Sequence, residues 1–237
     1  KILLAQRSAA HKPINVQWVG NAPQLQLQMN TANTDKMESY SGQRMQIGQL
    51  KGAKTATLNM TLDEWTVLTL SLGLYATPIS LAAGTVTGEE LPSPIAIGDV
   101  IRLDNGFIDD LVIEAAAPLA LGTDYRLESP SAGLIEFLTA QPDPLTADYE
   151  HAEIEGVTMF TSPPPERWLL LDGINTETGE RVLLDLYRVQ FNPVDDLNLI
   201  TDEYGNMPLA GTVLFDPVNA SDANLGGFGR VQAKADA

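Results

Sequence analysis

The chain has 237 residues, 44% of them apolar and 19% charged, enough to bury one large or two small cores and unlike a disordered polymer. It contains no cysteine, which excludes disulfides, thiolate catalysis and Cys-ligated zinc. Thirty-one acidic against 14 basic residues give a net charge of −17, and such a surface repels nucleic acid and anionic lipid, because phosphate contact needs clustered Lys and Arg.

The first twenty residues read as an irregular lead, with a short strand over residues 15–20 anchored by Trp18. The apolar run near residue 3 is too brief for a signal peptide, and no run approaches the ~20 residues of a membrane span. A soluble chain with no export signal and no membrane contact is expected. Residues 24–30 (QLQLQMN) alternate strictly, with Leu25, Leu27 and Met29 on one face and Gln24, Gln26 and Gln28 on the other. That period marks a half-buried strand, and its outward face is neutral amide. Residues 31–52 have mixed charge and no period, and read as a long loop. A loop that keeps Met37, Tyr40, Arg44 and Met45 reads as one that buries them on a partner.

Residues 53–62 alternate again, with Ala56, Leu58, Met60 and Leu62 inward and Thr55, Thr57, Asn59 and Thr61 outward. Thr61-x-x-Glu64 reads as a capping box opening a helix over residues 62–72, stopped by Gly73. Residues 78–94 look like a linker. The stretch 95–154 then holds short strands at 8–12-residue spacing, two of them around the Asn105-Gly106 turn and two around residues 130–133, a small antiparallel module. The predicted organisation is therefore a discontinuous β domain, residues 1–84 and 157–237, with an inserted module at 85–156.

Residues 166–193 (ERWLLLDGINTETGERVLLDLYRVQFNP) read as a β-hairpin whose connector holds Asn175 and Gly179. On its second arm Leu183, Tyr187, Val189 and Phe191 are expected in the core, with Asp185 interrupting. Arg188 and Gln190 are expected to face a neighbour or a lumen. Two more strands are predicted at 197–201 and 207–215. From Val218 the chain is polar and Gly-rich, with Leu225 and Phe228 as its large apolar anchors, and reads as a frayed tail or as an arm that packs on a neighbour.

Catalytic signals are poor. His11 lies in the lead and His151 on a predicted strand, and neither has a partner motif. There is no nucleophile elbow, P-loop or HExxH, and the spacing over residues 103–114 does not fit an EF-hand. Asp109-Asp110 and Asp195-Asp196 are adjacent pairs, which on a strand point to opposite faces. Neither an enzymatic activity nor a cofactor is expected.

Four stretches in order carry a resemblance: the Gly-hydrophobic-Asn-Thr hairpin at 173–176, Tyr-x-Val-x-Phe-x-Pro at 187–193, the polar Asp-Glu-Tyr-Gly turn at 202–205 and Leu-x-Gly-x-Val-Leu at 209–214. Residues 122–138 and 38–44 add a Tyr/Gly-rich segment and a long loop. The chain thereby resembles the major tail tube proteins of long-tailed, siphovirus-type bacteriophages. That resemblance implies a mainly β, sandwich- or barrel-like subunit with one flanking helix. Six subunits would form a ring, and rings would stack into the tube through which DNA is ejected. Genomic DNA would pass the lumen without specific binding. The implied setting is a virion tail, made in the host bacterial cytoplasm, with terminator, tape measure and distal tail proteins as further partners.

On this reading Gln24, Gln26, Gln28, Thr55, Thr57 and Asn59 are candidates to line the lumen. Asp35, Met37, Tyr40, Arg44, Met45, Arg188, Leu225 and Phe228 are candidates for contacts between subunits or rings. Six copies of the chain would carry on the order of −100 charges and repel a passing polyanion. Another ring or tube protein of a tail or secretion system is the alternative. A monomeric β-sandwich binding module, for carbohydrate for example, would need an exposed aromatic platform, which 6% aromatics and three Trp in apolar contexts do not offer.

Overall fold

The computed structural model describes residues 1–202 and 204–234. The chain divides into two compact units, Lys1–Pro78 with Val157–Ala237, and Ile79–Gly156. Among the described residues the fold is mainly β, with one short α-helix and several antiparallel sheets. In chain order the first unit begins with β1 (Ile2–Arg7), β2 (Pro13–Trp18), β3 (Gln24–Met37), β4 (Gln46–Leu62) and α1 (Val67–Gly73). The second holds β5 (Pro78–Leu81), β6 (Gly84–Glu90), β7 (Val100–Arg102), β8 (Ile108–Glu114), β9 (Tyr125–Ser129), β10 (Leu134–Phe137), β11 (Thr146–His151) and β12 (Ile154–Val157). The first unit resumes with β13 (Arg167–Ile174), β14 (Arg181–Phe191), β15 (Met207–Val213) and β16 (Gly229–Ala233). The strands β5 and β12, at the two chain crossings, pair with each other.

The first unit is one sheet in the order β2-β1-β13-β14-β15-β4-β3, with β16 added beside β14. Ile2 and Leu4 of β1 share a buried cluster with Leu58 and Met60 of β4, Leu169 of β13, Leu209 of β15 and Leu72 of α1. The sheet therefore curls until strands far apart in order enclose one core. Its hairpin β13–β14 forms as the apolar runs predict. The alternation along β14 is broken, however: Arg167 pairs with Val189 but Leu169 with Leu186, so Trp168 faces one residue too many. This bulge shifts the parity. Leu184 and Leu186 before it and Val189 and Phe191 after it reach the same core, while Tyr187 joins Trp168 and Ala5 on the opposite face. Leu183, expected in the core, is exposed for the same reason. Asp185 is not a flaw in a greasy strand, since it accepts hydrogen bonds from Trp168 Nε1 (3.3 Å) and Arg230 Nε (2.9 Å).

Several expectations are corrected. The irregular lead contains β1 and β2, and Trp18 sits exposed on the edge strand rather than anchoring a core. The long loop at 31–52 is two strands of one hairpin, β3 and β4, whose turn is residues 38–45. It shows no period because neither face of that part of the ladder is buried. The helix begins at Val67, not Leu62, capped by Thr66 and Thr69 rather than Thr61 and Glu64, because Leu62 continues the inward alternation of β4 opposite Met207. The supposed linker at 78–94 holds β5 and β6. No strand forms at 197–201. Between Val218 and Ala233 the tail is ordered: a 3-10 turn at Asn219–Ser221 leads to β16, which pairs with β14 of its own chain. Glu203, within the polar turn motif, and residues 235–237 lie outside the described residues.

The second unit packs two three-stranded sheets, β7-β10-β9 and β6-β11-β8, around Ile113, Ile135, Phe137 and Tyr149. The strands on either side of Asn105-Gly106 do not pair with each other as expected. There the chain crosses from one sheet to the other, with the Asn105 amide donating to the Tyr149 hydroxyl at 3.0 Å and the Asp104 N–H to Glu89 at 2.9 Å. The hairpin around residues 130–133 does form, as β9–β10.

Candidate functional site: a neutral sheet face and a two-stranded arm

Register places the uncharged outward residues in rows. Gln28 pairs with Thr57, Thr57 with Thr212, and Thr212 with Gln190, one line across β3, β4, β15 and β14. The neighbouring lines are Gln26–Asn59–Ala210 and Gln24–Thr61–Pro208, and on the other side Asn30 pairs with Thr55. Gln24, Gln26, Gln28, Thr55, Thr57 and Asn59 thus share one exposed face, while Leu27, Leu58, Leu209 and Val213 fill the core behind it. None of these outward positions is ionisable. The amides and hydroxyls offer donors and acceptors but no net charge, so they give a polyanion nothing to bind tightly.

Arg188 borders this face and is neutralised in place. Its Nε and Nη2 donate to the Glu166 carboxylate at 2.8 and 2.6 Å, and its Nη1 to the Phe215 carbonyl at 2.8 Å. The bond from Arg188 holds the Glu166 carboxyl below the usual carboxylate range, and Glu166 in turn raises Arg188. Beside them buried Asp216 accepts from Arg7 Nη2 at 2.5 Å and from Asn219 Nδ2 at 2.9 Å. Burial pushes the Asp216 carboxyl up, but the Val218 N–H and the Arg7 charge outweigh it and the group lies below its ordinary value. Arg188 is therefore part of a lattice joining β1, β14, the residue just before β13 and the turn after β15.

Past the pair Ala56–Met29, β3 and β4 lose their neighbour, since β15 ends at Val213 opposite Ala56. Residues 31–37 and 46–55 continue as a two-stranded arm with both edges unpaired. At ~3.3 Å per residue the arm extends about 30 Å beyond the sheet. It exposes Met37, Met45 and Ile47, with Leu50 72% and Tyr40 84% accessible. Asp35 braces the arm by accepting from Gln46 and Gln49 at 2.8 and 3.1 Å. Glu38 organises the tip: its carboxylate accepts from the Ser41 hydroxyl and from the Ser41, Tyr40 and Met45 N–H groups. Those bonds, the Ser41 hydroxyl first, push the Glu38 pKa down to about 2. Arg44 sits in the same turn with a φ of 50°.

Charge is divided unevenly. The inserted unit, Ile79–Gly156, has fifteen acidic and two basic residues, net −13, leaving −4 on the rest. The arm carries Lys36, Arg44, Lys51 and Lys54, while its two carboxylates, Asp35 and Glu38, are both engaged inside it. It is a basic projection on an acidic chain. Sequence reasoning singled out Arg44 but not the three lysines, because an aperiodic stretch does not reveal which charges align on one ladder.

The remaining candidates are held by their own chain. Leu225 packs against the Trp168–Tyr187 cluster and its carbonyl accepts from the Tyr187 hydroxyl at 2.7 Å. Phe228 packs on the main core and meets Phe215 edge-on at 5.8 Å. His11 Nδ1 lies 2.8 Å from Arg7, and His151 Nδ1 lies 3.0 Å from the Ala152 carbonyl. Among the described residues no group of three His, Asp or Glu could hold a metal ion. No helix among them is long and apolar enough to cross a membrane. A protein-family model described as "Protein of unknown function UCP028589" matches residues 1–232. No curated protein matches the chain.

Proposed function

The chain belongs to the family described as protein of unknown function UCP028589, and we propose that it is a structural, non-enzymatic subunit that forms hexameric rings stacked as a bacteriophage tail tube. The observation that carries this reading is one continuous feature: an uncharged polar sheet face that runs out into a two-stranded arm with two free edges. A two-stranded ribbon is marginal alone in water, and unpaired edges invite other chains. Ring closure would cover the terminal strands β2 and β3 of the sheet. The edge strand β2 exposes Ile14, Val16 and Trp18 in alternation, a row suited to a seam between subunits.

In this assembly the rows of Gln24, Gln26, Gln28, Thr55, Thr57 and Asn59 line the lumen, joined by Thr212 and Gln190. DNA slides past because the wall has no cation to hold a phosphate. The net charge of the ring plays a lesser part than composition alone suggests, since most of it resides on the inserted unit. Met37, Tyr40 and Met45 reach the adjacent ring. Terminator, tape measure and distal tail proteins complete the partner set, in a virion assembled in the bacterial host.

Sedimentation across concentration tests the proposal. Wild-type chain should convert from monomer to large, elongated species, and a variant with residues 34–49 replaced by a tight turn should stop at monomers or single rings. Wild-type chain that stays monomeric throughout overturns the reading.

A further inference from the structure

The end of the first unit opposite the arm carries a surface complementary to it. Strand β4 runs from the arm at Gln46 to Leu62, where it pairs with Met207, the first residue of β15. The loop leading into Met207 therefore lies at the far end of the strands from the arm. In that loop Ile200 and Tyr204 are each 97% accessible and Leu199 70%. Trp65, in the turn after β4, lies beside Gly205 and is itself exposed. Asp195, Asp196 and Asp202 of the loop and Asp63 and Glu64 of the turn are exposed, and neither segment contains a Lys or Arg. The two poles of one unit thus pair opposites: apolar side chains among lysines at one, apolar side chains among carboxylates at the other.

We propose that the arm tip of one copy docks on the opposite pole of a second copy, with Tyr40 and Met45 against Leu199, Ile200 and Tyr204. Lys36, Lys51 and Arg44 face the carboxylates of that pole. The inference deepens the tube reading and rests on it: it names the acceptor of the arm and the charges that set its polarity. Such a contact joins two different surfaces, so it repeats with one sense and builds an open stack instead of a closed dimer. Apolar side chains supply the contact, and the surrounding charges choose the partner surface and reject the reverse arrangement. Exposed charges are screened over about 8 Å at physiological salt, so the association weakens as salt rises.

The absence of native cysteine permits a direct test. Chains carrying Tyr40→Cys and Ile200→Cys, both at exposed positions, are mixed and oxidised mildly. An Ala117→Cys chain in the inserted unit is the control. The mixture should form the Tyr40–Ile200 disulfide in excess of the Tyr40–Ala117 product by at least about tenfold, because a docked pair has a high effective concentration. Reversing Asp195 and Asp196 to Lys should abolish that product, and reversing Lys36 and Lys51 to Glu in the other chain should restore it. Tubes that form without the Tyr40–Ile200 product, or that form it no faster than the control, overturn this inference alone. Chains that never associate overturn it together with the tube reading.

Discussion

Glu38 shows how one carboxylate shapes an element. Its pKa, about 2 against an ordinary 4.5, means the folded tip prefers the charged form. The stabilisation is complete above the ordinary value and is lost as pH falls through about 2. The Ser41 and Tyr40 amides should accordingly stay protected from exchange at pH 5 and lose protection as acid is added; a Glu38 carboxyl that titrates near 4.5 by NMR would contradict the geometry. Asp216 is a second such residue, fully buried and paired with Arg7. Asp216→Ala leaves the part-buried Arg7 guanidinium with only the Glu166 carboxylate, 3.9 Å away, as ion partner among the described residues, and should cost about 3 kcal/mol in denaturant unfolding. A loss below about 1 kcal/mol would mean that water already screens the pair. Gly229 is a third. A Cβ there would lie 2.2 Å from the Asp185 carbonyl oxygen, so Gly229→Ala should peel β16 from β14 and deprotect residues 182–186 in hydrogen exchange. Unchanged protection would show that the strand can shift.

At the scale of elements, the sequence spoke where one face of a strand is buried and the other wet. Residues 24–30 and 53–62 alternate because Leu27, Leu58 and Met60 enter a core opposite Gln28 and Thr57, and that contrast is readable in one dimension. The arm beyond them is equally extended but buries neither face, so its strands lack a pattern and read as a loop. The bulge at Tyr187 hides in the sequence for a related reason: it changes which parity faces the core halfway along β14, leaving apolar residues on both apparent faces. The pairing of β7 with β10 instead of β8 is set by tertiary contacts of Asn105 and Glu89 that no turn signal records. The arm packs little of itself on the core, so shortening it should leave thermal unfolding of the first unit within a few degrees of wild type while preventing stacking. A large drop in Tm would make the arm part of the fold and not an assembly device.

At the scale of the whole molecule, the two units divide the labour. The inserted unit has its own core and most of the net charge. The first unit has the neutral face, the arm and the apolar edge of β2. Net charge does not say where a chain is neutral, whereas strand register does. The face built from Gln28, Thr57, Thr212 and Gln190 is the centre of the functional proposal, and its orientation in the assembly decides it. Electron cryomicroscopy of the polymerised chain measures that orientation directly. The account predicts six-fold rings stacked into a tube, with these four residues on the inner wall and no Lys or Arg side chain projecting between them. A tube whose inner wall is made by other strands, with the Gln28–Gln190 row turned outward or buried between subunits, would contradict it.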